Sequence, residues 1–195
     1  RNRDIDRQTN NSMYTAAVPT LSGTTDVYLI VGYPVAQVQA PALFNAVFAR
    51  AGVNAVMVPV EIAPQHLLKF VKSAFLAPNV RGLCATIPHK NALVDAMHTC
   101  TPSARMAGAV NAVRCDRDGH LEGDLFDGQG LRAALDYCGM AYRGKRVLVL
   151  GAGGAAAAIA AELASATPQA AAQVSLYDPA PGKAIPYAVH DVTSH

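Results

Sequence analysis

Four short stretches of this chain combine residue types and spacings that can do chemistry. The first is Gly151-Ala152-Gly153-Gly154-Ala155-Ala156. Glycine at 151 permits a tight turn, and Gly153 lets backbone approach a pyrophosphate. The small residues from Gly154 through Ala155 to Ala156 let a helix pack closely on a strand. A helix starting there points free N–H groups and the positive end of its dipole at phosphates; the bland reading is a tight turn without a ligand. The second is Asp178, 27 residues beyond Gly151 (178 − 151). A carboxylate there accepts hydrogen bonds from ribose hydroxyls and repels a 2′-phosphate, whereas the structural alternative is an Asp-Pro turn. The third is Thr86-Ile87-Pro88-His89-Lys90, a lysine just past a strand end, at the edge where open α/β sheets bind ligands. A solvated lysine is the competing reading. His89 has no acid–base or metal partner in the sequence and is read as structural. The fourth is Gly123-Asp124-Leu125-Phe126-Asp127-Gly128. Asp127 is either a helix N-cap or a carboxylate directed into a cleft, with Asp124 the runner-up for the second role.

These groups need elements to position them, and the pattern predicts alternating strands and helices. Residues 27–31, 55–60 and 80–86 read as strands. Residues 41–50, 64–75 and 88–97 read as helices; Leu43, Phe44, Val47 and Phe48 recur at helical spacing, and Gly52 closes the first helix as a left-handed cap. A second unit begins near Asp127: a helix over 128–138, then a strand over 145–150. That strand is apolar on both faces, as a buried parallel strand should be. The glycine turn, an alanine-rich helix over 155–164 and a strand over 171–177 follow. This predicts an α/β fold with a mostly parallel sheet covered by helices, ending in the first half of a dinucleotide-binding unit. Only 68 residues follow Asp127 (195 − 127) and the second half has no counterpart, so that unit is read as truncated.

Composition narrows the class. Of 195 residues, 51% are hydrophobic and 15% charged, against a usual charged share of about 25%, so a core-rich globular chain is expected. A net charge of +2 is too small and too evenly spread for a nucleic-acid surface. The uncharged run from Val147 to Ala161 is 15 residues long and broken by glycines, short of the roughly 18 needed to span a membrane. No secretory signal is visible. Cys84, Cys100, Cys115 and Cys138 form no CxxC pair and lie in apolar stretches, so neither disulfides nor a metal are expected and a cytoplasmic location follows. Residues 1–12 are polar and are set aside as a flexible extension.

In order and spacing, these motifs resemble the shikimate/quinate dehydrogenase family. The resemblance is carried by Gly32-Tyr33-Pro34-Val35, by Pro41 with its helix and Asn54, and by Thr86 to Lys90. It continues through Ser103 to Asn111, Gly123 to Gly128, and Gly151 to Ala155. It implies a substrate-binding α/β domain over 13–126 followed by a Rossmann-type dinucleotide-binding domain from 127, with Lys90 and Asp127 catalytic. It further implies that Thr86 and Asn111 contact substrate hydroxyls, and that Gly151, Gly153, Gly154, Ala155 and Asp178 hold the cofactor. Lys90 is expected to lie away from the Gly151 loop. The implied reaction moves a hydride between a nicotinamide and a ring carbon while a proton passes through Lys90.

The departures shape the expectation. Two serines that in the family receive the substrate's carboxylate are Val38 and Ala40 here, flanked by Gln37 and Gln39, which are the candidate replacements. Cys84 stands for an asparagine, and Leu125-Phe126 for Asn-Thr. Asp178-Pro179 replaces the family's grip on an NADP phosphate, and no arginine follows Asp178, so NAD is expected to be preferred, with NADP possible. The resulting reading is a divergent NAD(P)-dependent oxidoreductase acting on a cyclic hydroxy acid related to shikimate or quinate. It is expected to be a monomer or homodimer, with no nucleic-acid or membrane partner. The alternative is a dinucleotide-binding or regulatory paralogue without turnover.

Overall fold

The computed structural model describes residues 20–165 and 170–178; the predicted polar extension over 1–12 and the residues after Asp178 lie outside this range. The chain divides after Cys84 into two compact units.

The first unit is built on two parallel strands, β1 (Asp26–Gly32) and β2 (Ala55–Glu61), paired from Asp26↔Ala55 to Gly32↔Glu61. Between them lies α1 (Ala40–Ala51), which Pro41 begins and which Gly52 ends at φ 64°. A left-handed φ of this kind favours glycine. The sequence pattern places Leu43, Phe44 and Val47 together on one face of α1, but that face points outward: all three are more than 40% exposed. The inward contacts come from its neighbours. Phe48 stacks on Tyr28, and the Asn45 side chain brackets Met57, accepting from its N–H at 2.7 Å and donating to its carbonyl. The predicted second helix splits into a 3-10 turn, Pro64–His66, and α2 (Leu67–Ala74), which buries Leu67 and Val71. Strand β3 (Val80–Ala85) closes the unit in the order β2-β1-β3.

The second unit departs further from expectation. The helix predicted over 88–97 is replaced by turns and one 3-10 turn, Val94–Ala96. The reason is a competition for one acceptor. A helix needs the Lys90 carbonyl for the Val94 N–H, but Val110 N–H takes that carbonyl at 2.9 Å, and Val94 turns to Asn91 instead. Four elements between residues 97 and 127 are absent from the sequence reading. They are β4 (Thr99–Cys100), α3 (Pro102–Ala107), β5 (Ala112–Cys115) and β6 (Leu121–Asp124). β5 and β6 pair antiparallel and β4 joins β6 in parallel, so parallel and antiparallel pairing are mixed.

The unit continues with α4 (Asp127–Tyr137), β7 (Arg146–Leu150), α5 (Gly154–Ala164) and β8 (Gln173–Tyr177). β7 and β8 pair in parallel, and α5 packs on both. Ala156, Ala160, Leu163, Val174, Leu176 and Tyr142 form the core there. The expectation that β7 is buried on both faces fails. Val147 and Val149 pack on this core, while Leu148 and Leu150 are 62% and 76% exposed. Among the described residues, helix covers only one side of this strand pair.

The cysteines are free thiols, with Cys84, Cys100 and Cys115 half-buried and Cys138 exposed. Burial pushes the Cys84 thiol above its ordinary pKa, which lowers its thiolate fraction. Timed alkylation with iodoacetamide should therefore label Cys138 first and Cys84 last, read by mass spectrometry of the peptides. No helix among the described residues is long and apolar enough to cross a membrane.

Candidate active site

Lys90 follows β3 in the turn that begins at Thr86, and the Val110 N–H pins its carbonyl. Asp127 is the first residue of α4; the N-cap is Phe126, which makes no side-chain cap. Asp127 is thus free of the capping role offered by the bland reading. Its Oδ2 accepts a hydrogen bond from Lys90 Nζ at 2.6 Å, with the two side chains 15% and 25% exposed. The pair is short, charge-assisted and still reached by solvent. Such a lysine presents a cation and a transferable proton, and such an aspartate fixes its direction.

Asp124, the alternative carboxylate, is occupied structurally. Its Oδ1 accepts from Thr101 Oγ1 at 2.6 Å and from Leu125 N–H at 2.7 Å. Asn111 links the local strands to the site. Its carbonyl accepts from Ala85 N–H and its N–H donates to the Asp124 carbonyl, while its Oδ1 accepts from Phe126 N–H at 3.0 Å. With Oδ1 committed to the start of α4, the amide NH₂ is the end able to donate to a ligand. Thr86 is half-buried just past β3, with its carbonyl holding the His89 N–H. His89 is 1% exposed, in keeping with a structural role.

The glycine turn joins β7 to α5 as the motif requires. Gly151 adopts φ 116°, a conformation open to glycine alone at low cost. Its N–H donates to the Tyr177 carbonyl, tying the turn to the end of β8. Asp178 lies one residue beyond β8, and its Oδ2 accepts from Ala152 N–H at 3.0 Å. The carboxylate therefore braces the loop as well as presenting negative charge beside it. Helix α5 begins at Gly154, with Gly153 as N-cap and no side-chain cap, so the first N–H groups face outward from the helix without intrahelical acceptors. This is a donor set that fits the phosphates of a dinucleotide.

Lys90 is not remote from this loop, contrary to the sequence reading. A Cβ built on Gly154 would lie 2.9 Å from Ala109 Cβ and 3.9 Å from Lys90 Cβ. Glycine at 154 lets the start of α5 close against the segments that carry Lys90 and Asn111. Gln37 and Gln39 belong to the first unit. Both are exposed, and the Gln37 amide donates to the Pro34 carbonyl at 2.9 Å. Val38 and Ala40, between and beside them, are half-buried.

The second unit thus joins two features: a lysine–aspartate pair beyond a strand edge and a glycine turn that opens a helix behind a parallel strand pair. Comparisons with known proteins extend this. Residues 30–113 match the family of the shikimate dehydrogenase substrate binding domain, and the chain is similar to shikimate dehydrogenases over most of its own length. The NADP(+)-named shikimate dehydrogenase of Rubrobacter xylanophilus is 36% identical over 169 residues, 87% of this chain and 58% of that protein. The crystal structure of the Aquifex aeolicus shikimate dehydrogenase superposes with a TM-score of 0.75 at 32% identity, covering 85% of this chain and 60% of the other. The ligand-free 5-ketofructose reductase of Gluconobacter sp. strain CHM43 matches with a TM-score of 0.69 at 35% identity, covering 78% and 53%. The chain thus spans about half to three-fifths of the length of these relatives.

Proposed function

We propose that this protein is a nicotinamide-dependent oxidoreductase that interconverts a hydroxyl and a ketone on a polyhydroxylated molecule of the shikimate or quinate type. The observation that carries the proposal is the Lys90–Asp127 pair at 2.6 Å, set in the same unit as the Gly151 turn and close to the start of α5. Dehydrogenase and reductase, the activities in the relatives' names, are the two directions of such a reaction. In this reading residues 13–126 form the substrate-binding portion and 127 onward the cofactor-binding portion.

A bound nicotinamide dinucleotide supplies the hydride acceptor or donor; the rest falls to this chain. In the reducing direction the Lys90 ammonium gives its proton to the carbonyl oxygen as that oxygen gains negative charge, and oxidation runs in reverse. Asp127 holds Nζ in line and keeps the lysine from swinging into solvent. Thr86 and the Asn111 amide orient neighbouring hydroxyls. The N–H groups at the start of α5 hold the phosphates, and Gly151 and Gly153 keep side chains out of their path. The test is formation of reduced nicotinamide from shikimate or quinate, followed by absorbance. Cofactor binding with no turnover on either compound would favour a non-catalytic dinucleotide-binding paralogue.

The cofactor choice is a separate expectation. The curated relatives are named for NADP(+), yet here a carboxylate sits against the glycine loop. A 2′-phosphate brought to Asp178 adds like charge and removes a hydroxyl donor. We expect kcat/KM to favour NAD. A clear NADP preference would remove Asp178 from the ribose site and leave it the loop-bracing role its hydrogen bond to Ala152 already shows.

A further inference from the structure

Asp127 is aimed from upstream. Phe126, the N-cap of α4, supplies no side-chain cap, yet the two backbone N–H groups just before Asp127 are both held by side-chain oxygens. Asn111 Oδ1 accepts from Phe126 N–H at 3.0 Å, and Asp124 Oδ1 accepts from Leu125 N–H at 2.7 Å. Leu125 is 2% exposed, and a backbone N–H so placed needs an acceptor. The two residues that lead from β6 to α4 thus have a fixed path, and Asp127 stands at its end.

Asp124 is itself braced. Thr101 Oγ1 donates to the same Oδ1 at 2.6 Å. A hydroxyl has one hydrogen, so the other contacts of this oxygen run inward. Ala104 N–H donates to it at 3.4 Å, with Thr101 as N-cap of α3, and Ser103 Oγ lies 3.0 Å away as a second donor. The backbone doubles the link: Thr101 N–H donates to the Gly123 carbonyl, and Asn111 N–H to the Asp124 carbonyl. The start of α3 and the approach to α4 therefore meet at one carboxylate oxygen. These residues, Asp127 and Lys90 all belong to the second unit. We propose that Asp124, braced by Thr101, is a positioning residue: by holding the Leu125 N–H it sets the direction in which Asp127 meets Lys90 at 2.6 Å. This rests on the function proposed above, and it gives Asp124 no contact with substrate or cofactor.

The whole chain is assayed with shikimate or quinate and a nicotinamide dinucleotide. A reacting group displaced by roughly 1 Å costs up to about a hundredfold in rate. Asp124→Ala should therefore lower kcat by about ten- to a hundredfold, with KM and dinucleotide affinity moved less than about threefold. Thr101→Val, which keeps the carboxylate and removes its brace, should lower kcat in the same sense, and Thr101→Ser, which keeps the hydroxyl, should restore it. This second pair carries the test if Asp124→Ala does not fold. A double-mutant cycle separates positioning from general stability. In an Asp127→Asn background, Asp124→Ala should cost less than about threefold more, because residues that act through one another do not multiply. Effects that multiply, a kcat unmoved by Asp124→Ala, or a loss confined to KM would overturn the positioning role while leaving the oxidoreductase assignment intact. No turnover of either compound by the wild type with either cofactor would overturn that assignment, and this proposal with it.

Discussion

Lys90→Ala lowers kcat by about 10²–10⁴-fold, the span expected when a positioned acid–base group is removed, and leaves dinucleotide affinity within a few-fold. The size of the effect follows from two roles lost together. In the proposed function the ammonium is the proton donor, and it is also the charge that stabilises negative charge developing on the substrate oxygen. The small effect on cofactor binding follows from where the side chain ends. The contact with the start of α5 is made at Cβ, 3.9 Å from a Cβ built on Gly154, and alanine keeps that atom. Folding should survive, because Asp127 is 25% exposed and water can reach the carboxylate that loses its partner. The measurement is a pair of assays on one preparation, steady-state turnover and titration of nicotinamide fluorescence. Wild-type turnover by the variant would exclude Lys90 from the mechanism, and a parallel collapse of cofactor affinity would show that its role is structural.

Gly128→Ala destabilises the second unit by about 3 kcal/mol or more, at the upper end of what overpacking costs. For a chain of this size that lowers the melting temperature by roughly 6–12 °C. Helix α4 packs on α5 at this residue. An added Cβ would sit 2.3 Å from the Ala158 carbonyl oxygen and 2.8 Å from Glu162 Cβ. The nearest obstacle is backbone inside a helix, which cannot rotate aside as a side-chain tip would, so the two helices must separate. Asp127 is the preceding residue, and activity should fall with stability. Gly130 supplies the internal control. It lies in the same helix with nothing within 4 Å of its built Cβ, so Gly130→Ala should stabilise by about 0.5–1 kcal/mol through helix propensity alone. Thermal melts of the two variants must diverge in sign. Equal stability of Gly128→Ala and wild type would mean that α4 and α5 do not meet there.

The parts of the site legible in the sequence were those whose chemistry is local. The Gly151 turn announces itself because one residue needs a positive φ and its neighbours need to be small, and both demands act within four positions. β1, β2 and the Gly52 cap of α1 were legible for the same reason: valine-rich or aromatic runs and a glycine stop are short-range signals. The hairpin of β5 and β6 was not, because its strands are only four residues each, at the short limit where alternation can be told from a loop. Among them stand Arg114 and Glu122, opposite each other across the pair; they satisfy one another but read as loop residues in a linear scan.

What the sequence determined alone was a set of parts: alternating elements, a lysine after a strand, an aspartate at a helix start and a glycine turn before an alanine helix. Tertiary structure decided which parts work together. It took the Lys90 carbonyl away from a local helix and gave it to Val110, leaving the lysine on a turn. It chose Asp127 over Asp124 by engaging Asp124 with Thr101 and Leu125 N–H. It brought Gly154 against Ala109, placing the lysine near a loop more than sixty residues away in sequence. It also turned the apolar stripe of α1 and one face of β7 outward. The physical reason is common to all of these. Residue type and spacing say what a group can bond to, but each donor and acceptor bonds once or twice, and the competition among partners far apart in sequence is settled only when the chain is packed.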